Sequence, residues 1–529
     1  MFGERVERVR IEKVTKVKTQ KTTYSLFTGK QLLWLILPIV IEQIFSTSLG
    51  FIDSIMVSNM PGDSQSAGLA VTNMDYVNNL IIQLFSAFAT GGAIITSQFL
   101  GAKDNESATK SAKHMLVIVL LLSVVIAAAC LALNYPLLRL LYSDIDAGSA
   151  TFSYQRIYFY ITAASFPFIG LFNACAALLR VQRKSMITMI SAAMSCVLNV
   201  AVNAVFLYVL KLGVMGAALA TFICRAIPAV FMLVVLGSKK NVVCVKIFEK
   251  FRFDGYMIKK ILKIAIPAGI ESALFQLGKL MTSTFVNVGC YITDTGTVDA
   301  AGNAITVNTQ ALGNSIANNI NNFASVVGGG VGTSCLTVIG QSVGTGDIDL
   351  CKYYIKKMFI ISYVANTICV GLFMSLTPVL VHCWGYGDEA AAIAKTCLYF
   401  CLSFQFVTYP LSFTTPGILK ATSDVKYVMW CAIISMALMR VGLCFILTTD
   451  KIAGLPQLGA FGYWIGMCSD WVLRSVLFMV RLLSGKWKRS SGLFKEKAKA
   501  VSGEGCEIET AVCETSAEEE EDIHKGENV

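Results

Sequence analysis

Several carboxylates lie inside strongly apolar stretches of this chain, among them Glu42, Asp53, Asp75 and Glu271. An ionised group in such a setting is expensive unless it finds a partner, a proton or a cation. Glu42 and Asp53 are eleven residues apart. At about 100° per residue they differ by only about 20° around a helix, so they share a face. In "NVAVN", Asn199 and Asn203 are spaced i, i+4 and point the same way. Thr221 follows in the next apolar stretch, at a similar expected depth. One carboxylate with amide and hydroxyl oxygens makes a hard-oxygen set, which suits a proton on Asp53 or a small cation such as sodium. Asn and Thr taken singly also tie membrane helices together by hydrogen bonds. Shared depth is what turns these four residues into a candidate site.

Other polar residues leave two readings each. Asp75 could join the Asp53 network or face headgroups. Glu271 and Lys279 could pair with each other, or Glu271 could serve substrate or proton. Asn314, Asn318, Asn321 and Asn322 lie on roughly one helix face. They could stitch helices together, but lining of a water-filled cavity is the preferred reading. Arg440 and the i, i+4 pair Asp470/Arg474 read as structural or as cavity charges. Pro38 removes one helix hydrogen bond fifteen residues before Asp53. A kink there would give the helix two shapes, whose balance the charge on Asp53 could bias.

The elements that must position these residues are membrane spans. The chain has 529 residues, 55% hydrophobic and 15% charged, with a mean hydropathy of +0.62. Twelve apolar segments are long enough to cross a bilayer: roughly 32–58, 66–99, 114–137, 152–178, 186–210, 213–237, 260–288, 302–340, 354–381, 391–418, 426–448 and 459–483. Lys and Arg concentrate before the first span and in every second loop, while the intervening loops carry Asp63, Asp144, Asp294 and Asp388. That asymmetry places both termini in the cytoplasm and accounts for the net charge of +10 as a topology signal, not a nucleic-acid surface. The 17 cysteines form no CxxC pair, and there are three histidines. Neither a zinc site, a disulfide framework nor a histidine-based membrane enzyme is expected.

The chain also repeats itself. "LPIVIEQ" (37–43) matches "IPAGIES" (266–272), pairing Pro38 with Pro267 and Glu42 with Glu271. "AGLAVT" (67–72) matches "AGNAIT" (301–306), "SQFLGAKD" (97–104) matches "GQSVGTGD" (340–347), and "GVMGAALA" (213–220) matches "GAFGYWIG" (459–466). Six spans per repeat give the halves the same orientation, related by an axis along the membrane normal. The expected fold is therefore all-α and integral to the membrane, with twelve transmembrane helices in two pseudo-symmetric six-helix lobes around a central cavity. The expected organisation is a basic cytoplasmic segment at 1–30, an N-lobe at 31–237, a cytoplasmic linker at 238–259, a C-lobe at 260–484 and a disordered cytoplasmic tail at 485–529.

These motifs together resemble the multidrug and toxic compound extrusion (MATE) family, in particular its bacterial DinF-like branch. The resemblance covers about residues 30–485 and rests on the duplication, "LPIVIEQ…FIDSIMVS", "SQFLGAKD" with "GQSVGTGD", "NVAVN" and "GVMGAALAT". It implies export of cationic or amphipathic drugs or metabolites from the cell membrane, by antiport with protons or sodium ions. It implies no cofactor, a small-molecule substrate and lipid as partners, and a monomer. The cation site it implies is Asp53, Asn199, Asn203 and Thr221, with Pro38 as the kinking proline. Some members use carboxylates in spans seven and ten; here span seven offers Glu271, and span ten has only Gln405. Glu42, Asp75, Glu271, Asn314 and Asn318 remain candidates for a substrate or proton cavity. The alternative is a flippase for lipid-linked precursors from the same superfamily, which would place several cationic side chains in the central cavity.

Overall fold

A computed structural model describes residues 25–489, except 59, 61–63, 143–144, 147, 246–252, 289–291, 299–303, 384–387 and 449–457. The expectations for residues 1–24, for most of the tail and for the middle of the linker lie outside the described residues. The first half contains Gly29–Ser58 (α1), Ser64–Gly101 (α2), Asn105–Ala132 (α3), Asn134–Leu141 (α4), Ala150–Ala164 (α5), Phe166–Val181 (α6), Ser185–Asn203 (α7) and Gly213–Leu236 (α8). The second contains Gly255–Val288 (α9), Thr309–Gly344 (α10), Ile348–Cys383 (α11), Asp388–Tyr409 (α12), Thr415–Ala421 (α13), Val425–Ser435 (α14), Cys444–Thr448 (α15) and Gly459–Leu483 (α16). Wider π turns extend α7 (Ala204–Val209), join α12 to α13 (Pro410–Thr414) and join α14 to α15 (Met436–Leu443).

Ten of the described helices are long and apolar enough to cross a membrane. The pair α5 and α6, bent by 46°, makes an eleventh. The 25-residue α16, which carries Asp470, Arg474 and Arg481, completes twelve. Helices are the natural answer to a solvent that cannot hydrogen-bond the backbone. Residues such as Leu33, Trp34, Val197, Val234, Ile368 and Leu483 are exposed on the bundle's outside, as a lipid-facing surface requires.

One boundary differs from the sequence reading. The eighth span starts at Thr309, not near 302, because residues 304–308 form a strand paired antiparallel with Ile292–Val298. Asn308 caps α10, its side-chain oxygen accepting from the Ala311 amide at 2.9 Å. The first helix runs unbroken through Pro38. A sharp bend of 46° lies in the fourth span, at Ser165 just ahead of Pro167.

The halves meet where α1 packs on α10 and where α2 packs on α9 and α10. Apolar clusters near the basic loops mix both halves: Leu32, Leu35 and Ile39 pack with Val338, Ile339 and Tyr354. At the opposite end each large cluster stays within one half. The basic end is also where repeat-related hydrogen bonds cross between the halves. Gln98 Nε2 donates to the Ala421 carbonyl at 2.9 Å, and its counterpart Gln341 Nε2 donates to the Val181 carbonyl at 2.8 Å. Arg183 then donates to Gln341 Oε1 at 2.6 Å, while Gln98 reaches Ser423 Oγ at 3.1 Å. The structure is thus closed at the basic end, while the large apolar clusters at the other end do not cross between the halves.

Glycine makes that closure possible. A methyl group at Gly101 would overlap the carbonyl of Gln341, and one at Gly344 would overlap the carbonyl of Gln98. Gly101→Val therefore costs the closed state about 1–3 kcal/mol of overpacking, shifting the closed population by roughly tenfold or more. Spin labels at Ala102 and Thr345 should report a longer mean distance in this variant. An unchanged distance distribution would mean that the helices do not need the glycine to meet.

Candidate functional site

Asp53 is buried, 5% exposed, near the C-terminal end of α1. Both asparagines of α7 face it. Asn199 Nδ2 donates to Asp53 Oδ1 at 2.8 Å, and Asn203 Nδ2 donates to the same oxygen at 2.6 Å. The i, i+4 spacing is what lets two amides converge on one carboxylate. Their own carbonyl oxygens, Asn199 Oδ1 and Asn203 Oδ1, are buried with no hydrogen-bond partner. Unmatched buried acceptors beside a carboxylate form a set that a hard cation or a proton donor could satisfy. Directly after Asn203 the helix widens into its π turn, a distortion often found at functional sites.

Thr221 is buried in α8, but its hydroxyl donates to the Ala217 carbonyl of its own helix at 2.9 Å. Tyr158 is within interaction range of both Thr221 and Asp75. Asp75 sides with the Asp53 network: Asn78, Tyr158, Asp53 and Arg225 all lie within interaction range of its carboxyl group. Arg225 Nη1 also donates to Ser165 Oγ at 2.9 Å, at the bend of the fourth span. One arginine therefore faces two carboxylates in the first half. The sequence left Arg225 unassigned and Tyr158 unnoticed; both become visible only when α5 and α8 pack together.

The other candidates lie elsewhere. Glu42 is held in a buried ion pair. It is 2% exposed, ion-paired with Arg180 and accepting from Thr188 Oγ1 at 2.7 Å. Glu271 does not pair with Lys279; Lys420 Nζ sits 2.8 Å from its Oε2. The two ion pairs are repeat equivalents, since "ALLRVQRKS" (177–185) aligns with "GILKATSDV" (417–425) and matches Arg180 to Lys420. Asn314 and Asn318 link α10 to α16. Trp464 Nε1 donates to Asn314 Oδ1 at 3.0 Å, and Tyr463 donates to Asn318 Oδ1 at 3.2 Å. Asn321 likewise accepts from Gln405 Nε2 at 2.5 Å.

Between the halves lies a cavity of about 360 Å³, walled by α2, α9, α10, α16 and the α12–α13 segment. Its walls carry Glu271, Lys279, Lys420 and Arg474, with Phe275 and Phe413 as aromatic surfaces. Behind this wall, Asp470 is shared between Arg474 (3.1 Å) and Arg440 (3.6 Å). No group of three or more metal-ligating His, Cys, Asp or Glu side chains occurs among the described residues.

This geometry can be set beside known proteins. The sequence profile of the MatE family matches residues 38–205 and 309–446, one stretch in each half. The chain belongs to the MatE family. The Bacillus subtilis transporter YisQ is 25% identical, over 89% of this chain and 96% of its own. The probable multidrug resistance protein NorM of Thermotoga maritima is 24% identical, with the same two coverages. A MATE family transporter solved in an outward-facing conformation superposes with a TM-score of 0.74 at 21% identity, over 88% of this chain and 96% of that one. This MatE protein is a multi-pass membrane transporter of the compound-export type, and not an enzyme. The matches identify the MatE family as a whole and do not single out its DinF-like branch.

Proposed function

We propose that this MatE protein is an antiporter that exports amphipathic organic compounds while protons or sodium ions enter. Asp53, Asn199 and Asn203 hold the coupling cation, with Thr221 and Asp75 at the edge of the site. The observation that carries this reading is the convergence of both amides on Asp53 Oδ1, which leaves their carbonyl oxygens unmatched. Lys and Arg enrichment in alternate loops assigns the basic end to the cytoplasm, so the closed end faces inward. The lobes span 31–237 and 260–484, joined by a cytoplasmic linker at 238–259. Lys110 anchors that linker through Asp254, 2.7 Å away, and hydrogen bonding to Lys110 holds the Asp254 carboxyl below its ordinary range. Pro38 weakens α1 on the inward side of Asp53 and gives the helix a place to bend during the cycle. The protein works as a monomer within lipid.

The test is dye export from energised inverted vesicles, with sodium removed in one arm and the proton gradient collapsed in the other. Export lost in one arm names the ion. Export that survives both arms rules out the antiport reading. A flippase for lipid-linked precursors is the second reading, and the basic side chains of the cavity favour it. Both readings require a cargo that suits that cavity.

A further inference from the structure

We propose that the inter-lobe cavity binds an anionic group of the cargo, a carboxylate, phosphate or sulfonate, at Lys279 and Arg474. This departs from the cationic half of the cationic or amphipathic cargo that the family resemblance implies and narrows the amphipathic half to anions. It rests on the export reading above and names the cargo's chemical class.

The argument begins with charge. Four ionisable residues line the cavity, and three of them are cations: Lys279, Lys420 and Arg474. The one lining carboxylate, Glu271, is engaged by Lys420 at 2.8 Å. Asp470, behind the wall, is shared by two arginines. Lys279 has no carboxylate partner among the described residues. Arginine stays protonated at any working pH, so Arg440, Arg474 and Asp470 keep one surplus positive charge whatever Lys279 does. A surplus charge in a low-dielectric site is costly until a counter-charge arrives.

Unmet donors give the second line of support. Arg474 is 5% exposed and reaches the cavity wall. Its Nε is used by Ser435 and Asp470, but its Nη2 is buried with no partner. Ser412, on the same wall, is 1% exposed and its hydroxyl is also unpartnered. Buried donors left unmatched beside open space suit a ligand rich in acceptors.

Phe275 completes the site. Lys279, Arg440 and Arg474 all lie over its ring, at 5.2, 5.2 and 4.9 Å from the centroid. The ring holds the cations near one another without neutralising them. Gln83, Ser86 and Thr90 on α2 present polar groups from the other lobe. Phe413, Leu336 and Ala268 supply apolar wall. The combination suits an amphipath with an anionic head. Such a head could belong to a free organic anion or to a lipid, and the experiment separates them.

The probe is carboxyfluorescein, and the measurement is fluorescence polarisation on the full-length protein in phosphatidylcholine nanodiscs. Saturable binding is expected, weakened about tenfold or more by Lys279→Gln and largely restored by Lys279→Arg. Arg474→Lys should weaken it as well, without altering the elution of the nanodisc. The cationic dye ethidium should lose no affinity in Lys279→Gln. Competition by inorganic phosphate assigns the site to a free anion; competition by phosphatidylglycerol in the nanodisc, but not by phosphate, assigns it to a lipid head. The proposal is overturned if wild-type protein shows no saturable carboxyfluorescein binding, or if Lys279→Gln binds it as tightly. Anion binding without gradient-driven export would leave this proposal standing and remove the export reading.

Discussion

Asp53→Asn should abolish gradient-driven export while leaving the protein folded in the membrane. Asparagine has nearly the same shape, and its carbonyl can still accept from Asn199 and Asn203, which now donate to Asp53 Oδ1 at 2.8 and 2.6 Å. What the change removes is the negative charge. Losing even about 3 kcal/mol of cation binding weakens that site by more than a hundredfold. Export should fall to the level of vesicles lacking the protein, at an unchanged membrane level. Asp53→Glu, which keeps the charge, should retain part of the activity. Asn199→Ala and Asn203→Ala should each fall between these limits, because one donor to the carboxylate remains.

The largest effect on stability should come from Asp470→Ala. Asp470 is fully buried and is the shared counter-ion of Arg440 (2% exposed) and Arg474 (5% exposed). Removing it strands two guanidinium groups in the bundle. Breaking a buried ion pair in this way costs about 3–5 kcal/mol. Thermal unfolding of the purified protein in detergent should shift clearly downward. Replacing the whole triad with apolar residues of similar volume should recover much of that loss, because no charge is then left unmatched. If Asp470→Ala unfolds at the wild-type temperature, the triad is not holding α14, α15 and α16 together.

Sequence and structure agree where chemistry follows from spacing. The duplication was readable because the paired motifs keep their order, and the fold's two halves follow from it. Asp53, Asn199 and Asn203 could be grouped because an i, i+4 amide pair and a lone carboxylate share a depth. Thr221 had the right depth, yet depth alone does not decide where a hydroxyl points, and its hydroxyl bonds its own helix. Lys420 and Arg180 stand at helix ends beside the basic loops, where sequence alone assigns Lys and Arg to topology. Both in fact turn back into the bundle to meet Glu271 and Glu42. A long basic side chain at a helix end can face water or the interior, and composition does not distinguish the two. Helix stitching was one of two readings open for Asn314 and Asn318, and their partners could not be named from sequence: Trp464 and Tyr463 look apolar, yet each carries one donor at its tip. The basic cavity was missed for a related reason. Its cations come from α9, α13 and α16, which only tertiary packing brings together.

The most direct test of the account is cation movement coupled to cargo. Purified protein is reconstituted into proteoliposomes, cargo is moved down its own gradient, and counter-movement of sodium or protons is recorded with an ion-sensitive dye inside. The account predicts that cargo flow drives one of these cations in the opposite direction, and that Asp53→Asn removes the cation signal. Cargo movement at the wild-type rate with no counter-cation, or a cation signal that persists in Asp53→Asn, would contradict it.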